Sequence, residues 1–296
     1  MLFLAIRMLT TVEFVLTGPH HGRPFAADAT YLAPSSPTAP PRPVIVFVHG
    51  FKGFKDWGHF PLLARFFAEQ GFVFIKLNLS HNGVVVGGSG DLEDLEAFGH
   101  NNFSHELNDL GQLLDALHTP GATPLPAALL DLGRLYLIGH SRGGGLVMLK
   151  AAEDSRVKAV ATWAAVASLA PRWPTEVLAQ WQREGVLYVP NSRTGQQLPM
   201  YYQIAEDYYA HQSRLDLPAL VPQLRQPLLI VHGDPDETVP LSAAEELLAR
   251  KPDAELLVVP GAGHQFGGRH PWPEAELPPL ARLVAERTAT FFRQHA

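Results

Sequence analysis

Leu135-Tyr136-Leu137-Ile138-Gly139-His140-Ser141-Arg142-Gly143-Gly144-Gly145 is the stretch on which the reading of this chain turns. An apolar, partly β-branched run enters a Gly-x-Ser-x-Gly turn, and a small-residue segment leaves it through Leu146, Val147 and Leu149. The pattern reads as strand, sharp turn, helix. Glycines flank the serine because such a turn holds it in a strained backbone conformation, with neighbours too close for side chains. The strain lifts the hydroxyl above the strand end, where a carbonyl can reach it. On its own the motif is weak, since Gly and Ser are common residues. Its weight depends on partners elsewhere.

Outward from this stretch, strand and helix patterns alternate. Residues 44–48 and 72–77 are continuously apolar, as strands buried on both faces should be. Between them a helical pattern runs through Leu62, Leu63, Phe66 and Phe67 and closes at Gly71. Residues 78–102 read as loop, and residues 104–117 as a helix with Ser104 at its N-cap. Strands at 157–162, 228–231 and 255–259, with helices at 241–250 and 277–292, continue the alternation. Strands near 12–16 and 27–32 form an antiparallel pair at the start, and the Pro/Ser/Thr-rich residues 33–43 make a surface connection. The expected class is α/β, a mostly parallel sheet with helices on both faces.

The alternation breaks at residues 168–220. Trp173, Trp181, Tyr188, Tyr201, Tyr202, Tyr208 and Tyr209 lie here, and residues 186–189 and 196–200 read as a hairpin. One domain over residues 1–296, with 168–220 inserted as a cap above the strand ends, is the economical organisation.

Composition narrows the function. The 296 residues suffice for a sizeable core, and 46% apolar with 18% charged residues describes a folded globular chain. A formal net charge of −6 without a Lys/Arg stripe argues against nucleic acid as a partner. The absence of cysteine excludes disulfides, thiolate metal sites and a cysteine nucleophile. Residues 1–9 are apolar but short and interrupted by Arg7, and residues 159–170 are too few to span a bilayer. The expectation is therefore a cytoplasmic protein with no membrane partner, although secretion through residues 1–9 stays open.

Two further segments supply partners for the serine. Val231-His232-Gly233-Asp234-Pro235-Asp236-Glu237-Thr238-Val239-Pro240 puts carboxylates in the turn after a buried strand. Val258-Val259-Pro260-Gly261-Ala262-Gly263-His264 puts a histidine on a glycine-rich loop after the next strand. A serine hydroxyl is a poor nucleophile until a base takes its proton, and that base needs a carboxylate to set its tautomer. His264 is the candidate base. Asp236 is the preferred carboxylate, with Asp234 and Glu237 as alternatives. Val48-His49-Gly50-Phe51-Lys52-Gly53-Phe54-Lys55-Asp56-Trp57 follows another buried strand and nominates Phe51, with Arg142, as backbone N–H donors to an oxyanion. Lys52 and Lys55 read as solvated side chains, whereas Phe54, Trp57 and Tyr188 are candidate pocket walls. No histidine spacing suggests a metal, and no cofactor is expected.

With these segments together, the chain resembles the α/β-hydrolase superfamily. The resemblance rests on Gly139-His140-Ser141-Arg142-Gly143, the His49-Gly50 loop, His232-Gly233-x-x-Asp236-x-x-Val239-Pro240 and Gly263-His264. Within it, the Phe51-Lys52-Gly53 loop and the aromatic insertion are similar to small bacterial carboxylesterases of the cinnamoyl/feruloyl esterase type. The resemblance implies Ser141 as nucleophile, His264 as base and then acid, Asp236 as its orienter, and a small-molecule ester as substrate. A peptidase of the same fold and a non-catalytic binding protein are the competing readings.

Overall fold

The computed structural model describes residues 8–18, 20–36, 38–171 and 173–296. The possible leader at residues 1–9 therefore falls mostly outside the described residues. In chain order the elements are β1 (Leu9–Thr17), β2 (Pro24–Leu32), β3 (Arg42–Val48), α1 (Phe60–Glu69), β4 (Val73–Leu77), α2 (Leu95–Gly99) and α3 (Phe103–His118). There follow β5 (Leu130–His140), α4 (Arg142–Glu153), β6 (Val157–Trp163), α5 (Thr175–Glu184), β7 (Val186–Pro190) and β8 (Gln197–Tyr201). The chain continues through α6 (Gln203–Ala210), α7 (Gln212–Leu215), α8 (Leu217–Leu220), β9 (Leu228–Gly233), α9 (Ser242–Arg250), β10 (Glu255–Val259) and α10 (Pro279–Gln294).

Eight strands form one sheet in the order β1-β2-β4-β3-β5-β6-β9-β10. The β1–β2 and β2–β4 pairs are antiparallel, and every later pair is parallel. Side chains alternate across the pleat. Val44, Val46 and Val48 join the core beneath α3 and α4, while Ile45 and Phe47 join the core beneath α1 and α10. Both faces of β3 are thus covered, which is why its sequence is apolar without a break.

Register places the site. Val48 pairs with Gly139, His140 with Trp163, Trp163 with Val231, and Gly233 with Val259. The strands β3, β5, β9 and β10 consequently end along one edge, and the loops that leave them lie side by side.

Three elements differ from the sequence expectations. Strand β5 begins at Leu130 rather than 135, because its pairing with β3 jumps from Pro43–Asp131 to Val44–Leu135. The three extra residues include Gly133 and the charged Arg134, which hide the strand pattern. Helix α3 is capped by Asn102, whose side chain accepts from the His105 N–H, so Ser104 is already helical. The expected loop at 78–102 holds the short helix α2, capped by Asp94.

Between β6 and β9 the chain builds α5, the β7–β8 hairpin and α6 to α8. This segment is bolted to the loop before α3. Arg193 pairs with Asp91, Gln196 Nε2 donates to Leu92 O at 3.0 Å, and Gln203 Nε2 donates to Asn101 O at 2.7 Å. Trp181 is buried and donates to Met200 O at 2.7 Å, joining α5 to the hairpin. Among the described residues, no helix is long and apolar enough to cross a membrane.

Candidate active site

Ser141 sits between the last residue of β5 and the first of α4, with φ 56° and ψ −122°. A non-glycine residue there costs about 1–3 kcal/mol, so the surroundings must enforce it. They do so by close packing. A Cβ on Gly139 would lie 2.2 Å from Gly143 O, and one on Gly143 would lie 2.4 Å from Val48 O. The Ser141 N–H is held by Trp163 O at 2.8 Å. The turn can therefore form only with glycine at both flanking positions.

The loop after β3 approaches the same point. A Cβ on Gly50 would lie 2.8 Å from Ser141 Cβ and 3.3 Å from its Oγ. Gly50 O accepts both the Gly53 N–H (3.0 Å) and His49 Nδ1–H (2.9 Å). The other His49 nitrogen faces the Leu79 N–H and Asn82 Nδ2, each at 3.3 Å. Burial pushes the His49 pKa down to about 4, so the ring is neutral and suited to donating on one side while accepting on the other. Sequence reading missed this role. Phe51 and Arg142 both line a cavity with Ser141, and Arg142 is the first residue of α4, where an N–H has no intrahelical acceptor.

The turn after β9 presents three carboxylates, and the structure separates them. Asp236 is buried and receives His264 Nδ1–H on Oδ2 at 2.8 Å. Its other oxygen accepts the N–H groups of Thr238 (2.8 Å) and Val239 (2.9 Å). Asp234 instead accepts the Gly261 N–H at 2.7 Å, tying the two loops together from outside. Glu237 is exposed. His232 is buried behind Asp236, donating to Val239 O at 2.8 Å with the same nitrogen 3.5 Å from Asp236 Oδ2.

His140 supports the His264 loop. Its Nε2–H donates to His264 O at 2.9 Å, and the two rings are 4.8 Å apart. Burial, reinforced by His264, pushes the His140 pKa down to about 3, which keeps this donor neutral.

Ser141 stands where two cavities meet. One, of about 610 Å³, runs under the inserted segment and is lined by Phe103, Leu169, Trp173, Trp181, Met200 and Ile204. The other, of about 670 Å³, is lined by His264, Trp57, Asn191, Arg193, Arg269 and His270. Phe51, Lys52, Ser141 and Thr238 border both. The Arg142 guanidinium lies 4.7 Å above the Phe51 ring and pairs with the buried Glu106. Burial raises the Glu106 carboxyl pKa against the pull of Arg142.

Of the three expected wall residues, only Trp57 lines this cleft. Tyr188 is 58% exposed, because strand alternation turns Val189 inward in its place. Phe54 is buried in its own loop, edge-on to His270 and beneath Arg193. Neither lysine of this loop is simply solvated. Lys52 lines the cleft and donates to Pro190 O at 3.2 Å, and Lys55 joins the buried Asp28 and Lys76 and the exposed Asp56 in an ion cluster.

A family model described as "Alpha/beta hydrolase family" matches residues 45–281, from β3 into α10. The chain belongs to the alpha/beta hydrolase family. Over 272 residues this hydrolase is 25% identical to a candidate carboxymethylenebutenolidase of Yersinia pestis, covering 90% of this chain and 83% of that one. A candidate carboxymethylenebutenolidase of Azospirillum brasilense is 40% identical over 78 residues, a match covering 24% of this chain and 32% of the other. The hydrolase superposes on Est1E of Butyrivibrio proteoclasticus with TM-score 0.64 at 20% identity, covering 95% of this chain and 98% of that one. On the α/β hydrolase GrgF of Penicillium sp. sh18 the TM-score is 0.70 at 16% identity, covering 97% and 99%. These likenesses are likenesses of fold.

Proposed function

We propose that this hydrolase is a serine carboxylesterase acting on small esters with an apolar acyl group. The observation that carries the reading is the 2.8 Å link from His264 Nδ1 to the buried Asp236, with His264 and Ser141 lining one cavity. Asp236 holds the tautomer in which Nε2 is the free basic nitrogen. Ser141 Oγ gives its proton to that nitrogen and attacks the acyl carbon. The amides of Phe51 and Arg142 receive the oxyanion, a donor pair of which either member is worth roughly two to three powers of ten in turnover. The imidazolium then protonates the departing alcohol, and water repeats the sequence to release the acid.

The first cavity supports the substrate class. Its walls are mainly Trp, Phe, Leu, Met and Ile side chains, supplied largely by the segment at 168–220, which serves as a fixed cap in this reading. A compact or aromatic acyl group suits a space of about 610 Å³ better than a charged one. The related fold of Est1E has been solved with ferulic acid bound, which accords with an aromatic acid in this place. A panel of esters varying acyl length and aromaticity, with a peptide amide included, tests the reading. Turnover of short and aromatic esters is expected. Turnover of the amide alone would replace the esterase by a peptidase.

A further inference from the structure

The two cavities that meet at Ser141 differ in chemistry, and His264 belongs to only one of them. On the serine esterase reading, this sorts the two halves of the substrate. The departing alcohol must receive its proton from His264, so its oxygen lies on the His264 side of the tetrahedral carbon. His264 lines the second cavity and is absent from the walls of the first. The alcohol half therefore occupies the second cavity, and the acyl half runs beneath the cap.

The second cavity is cationic. Lys52, Arg193 and Arg269 line it, and among the described residues no carboxylate does. Arg193 is neutralised from outside by Asp91. Lys52 donates to Pro190 O, and Arg269 lies over the Trp272 ring, 5.4 Å from its centre, so among the described residues neither is neutralised by a carboxylate. The acyl cavity contains Arg142, which Glu106 compensates, and it shares Lys52 at the border, so Arg269 is the uncompensated cation that the second cavity has to itself. Within a protein of net charge −6, the leaving-group side thus carries an excess of positive charge through Arg269, with Lys52 at its border.

We propose that the site selects esters whose alcohol half carries an anionic group, held by Lys52 and Arg269, and whose acyl half is uncharged. No new chemistry is required. The ester C–O bond breaks as before, the proton passes from His264 to the leaving oxygen, and the anion remains on the released hydroxy compound.

Three esters of matched size separate this from simple tolerance: ethyl 3-phenylpropanoate, its carboxymethyl counterpart, and ethyl 3-(4-carboxyphenyl)propanoate. Each kcat/KM is divided by the rate of hydroxide hydrolysis to remove intrinsic reactivity. At low salt the carboxymethyl ester is expected to exceed the ethyl ester by about tenfold, shrinking to about twofold in about 0.5 M NaCl as the cations are screened. The ester charged on its acyl half should be the poorest of the three. In the double variant Lys52→Gln/Arg269→Gln the preference ratio should fall below about threefold. The ratio cancels any general loss of activity in that variant. Equal normalised rates for the two phenylpropanoyl esters in the wild type, or faster turnover of the carboxyphenyl ester, would overturn the proposal while leaving the esterase intact. Failure to turn over any ester would remove the esterase reading, and this inference with it.

Discussion

The turn that carries Asp236 and the hairpin that carries Tyr188 serve the same cleft, yet their side chains are placed by different means. Asp236 is fixed from within a few residues. Its own carboxylate accepts the amides two and three positions on, and His232, four positions back, closes the space behind it. The hairpin is fixed from far away, by Arg193 on Asp91, Gln196 on Leu92 and Trp181 on Met200. Local constraints decide where the candidate carboxylate points, whereas long-range packing decides which face of an inserted strand meets the cleft.

The sharpest way to break the comparison is at the serine. Ser141→Ala should lower kcat by about four powers of ten or more while the circular dichroism spectrum stays unchanged, because the strained turn is held by Gly139, Gly143 and Trp163 rather than by the hydroxyl. Turnover near the wild-type rate in a clean preparation would end the serine mechanism.

Asp236→Asn should cost about a thousandfold or more in kcat, since an amide can no longer hold the productive tautomer of His264. Asp234→Asn should change kcat by less than about threefold, as its carboxylate meets a backbone amide rather than the imidazole. Comparable losses in the two variants would mean that the turn is not selective between its carboxylates.

In the hairpin the contrast is expected in stability. Trp181→Ala removes a buried ring and its bond to Met200 O, and should destabilise the fold by about 3–5 kcal/mol in denaturant titrations. Tyr188→Ala should stay within about 0.5 kcal/mol and leave substrate ranking unaltered. A large change in ranking on losing Tyr188 would place the tyrosine in the pocket after all.

Acid offers a gentler probe of the site-bearing edge. His49, His59 and His140 around it have pKa values lowered by burial to about 4, about 4 and about 3, as does His81 farther off at about 3. Each binds its proton more readily in the unfolded chain, where a histidine has pKa about 6.5, so the folded state is favoured fully only above that value. Tm should therefore decline steadily as pH falls from about 6.5 toward about 4. A flat Tm across that window would show that these rings are protonated without cost.

Much of the candidate site's edge was legible because strand ends, glycines and Asp/His spacing carry short-range constraints. Ser141, Asp236 and His264 stand after three strands, β5, β9 and β10, whose apolar runs are visible in the chain. The struts were not legible. His49 and His140 look like ordinary strand-end histidines until burial and the carbonyls they meet are known. Tyr188 and Phe54 failed as wall residues for another reason: an aromatic ring is equally at home in a pocket, in a loop core or on a half-exposed strand. Arg193, crossing from the hairpin to Asp91, lies over Phe54 in the loop core, and strand alternation leaves Tyr188 outside.

The central claim is that Ser141 is a nucleophile activated by His264 under Asp236. Incubation with a fluorophosphonate followed by peptide mapping tests it most directly. The account predicts a single stoichiometric adduct on Ser141, formed rapidly in the wild type and at least about a hundredfold more slowly in His264→Ala. Absence of an adduct on Ser141, or an equal labelling rate without His264, would contradict it.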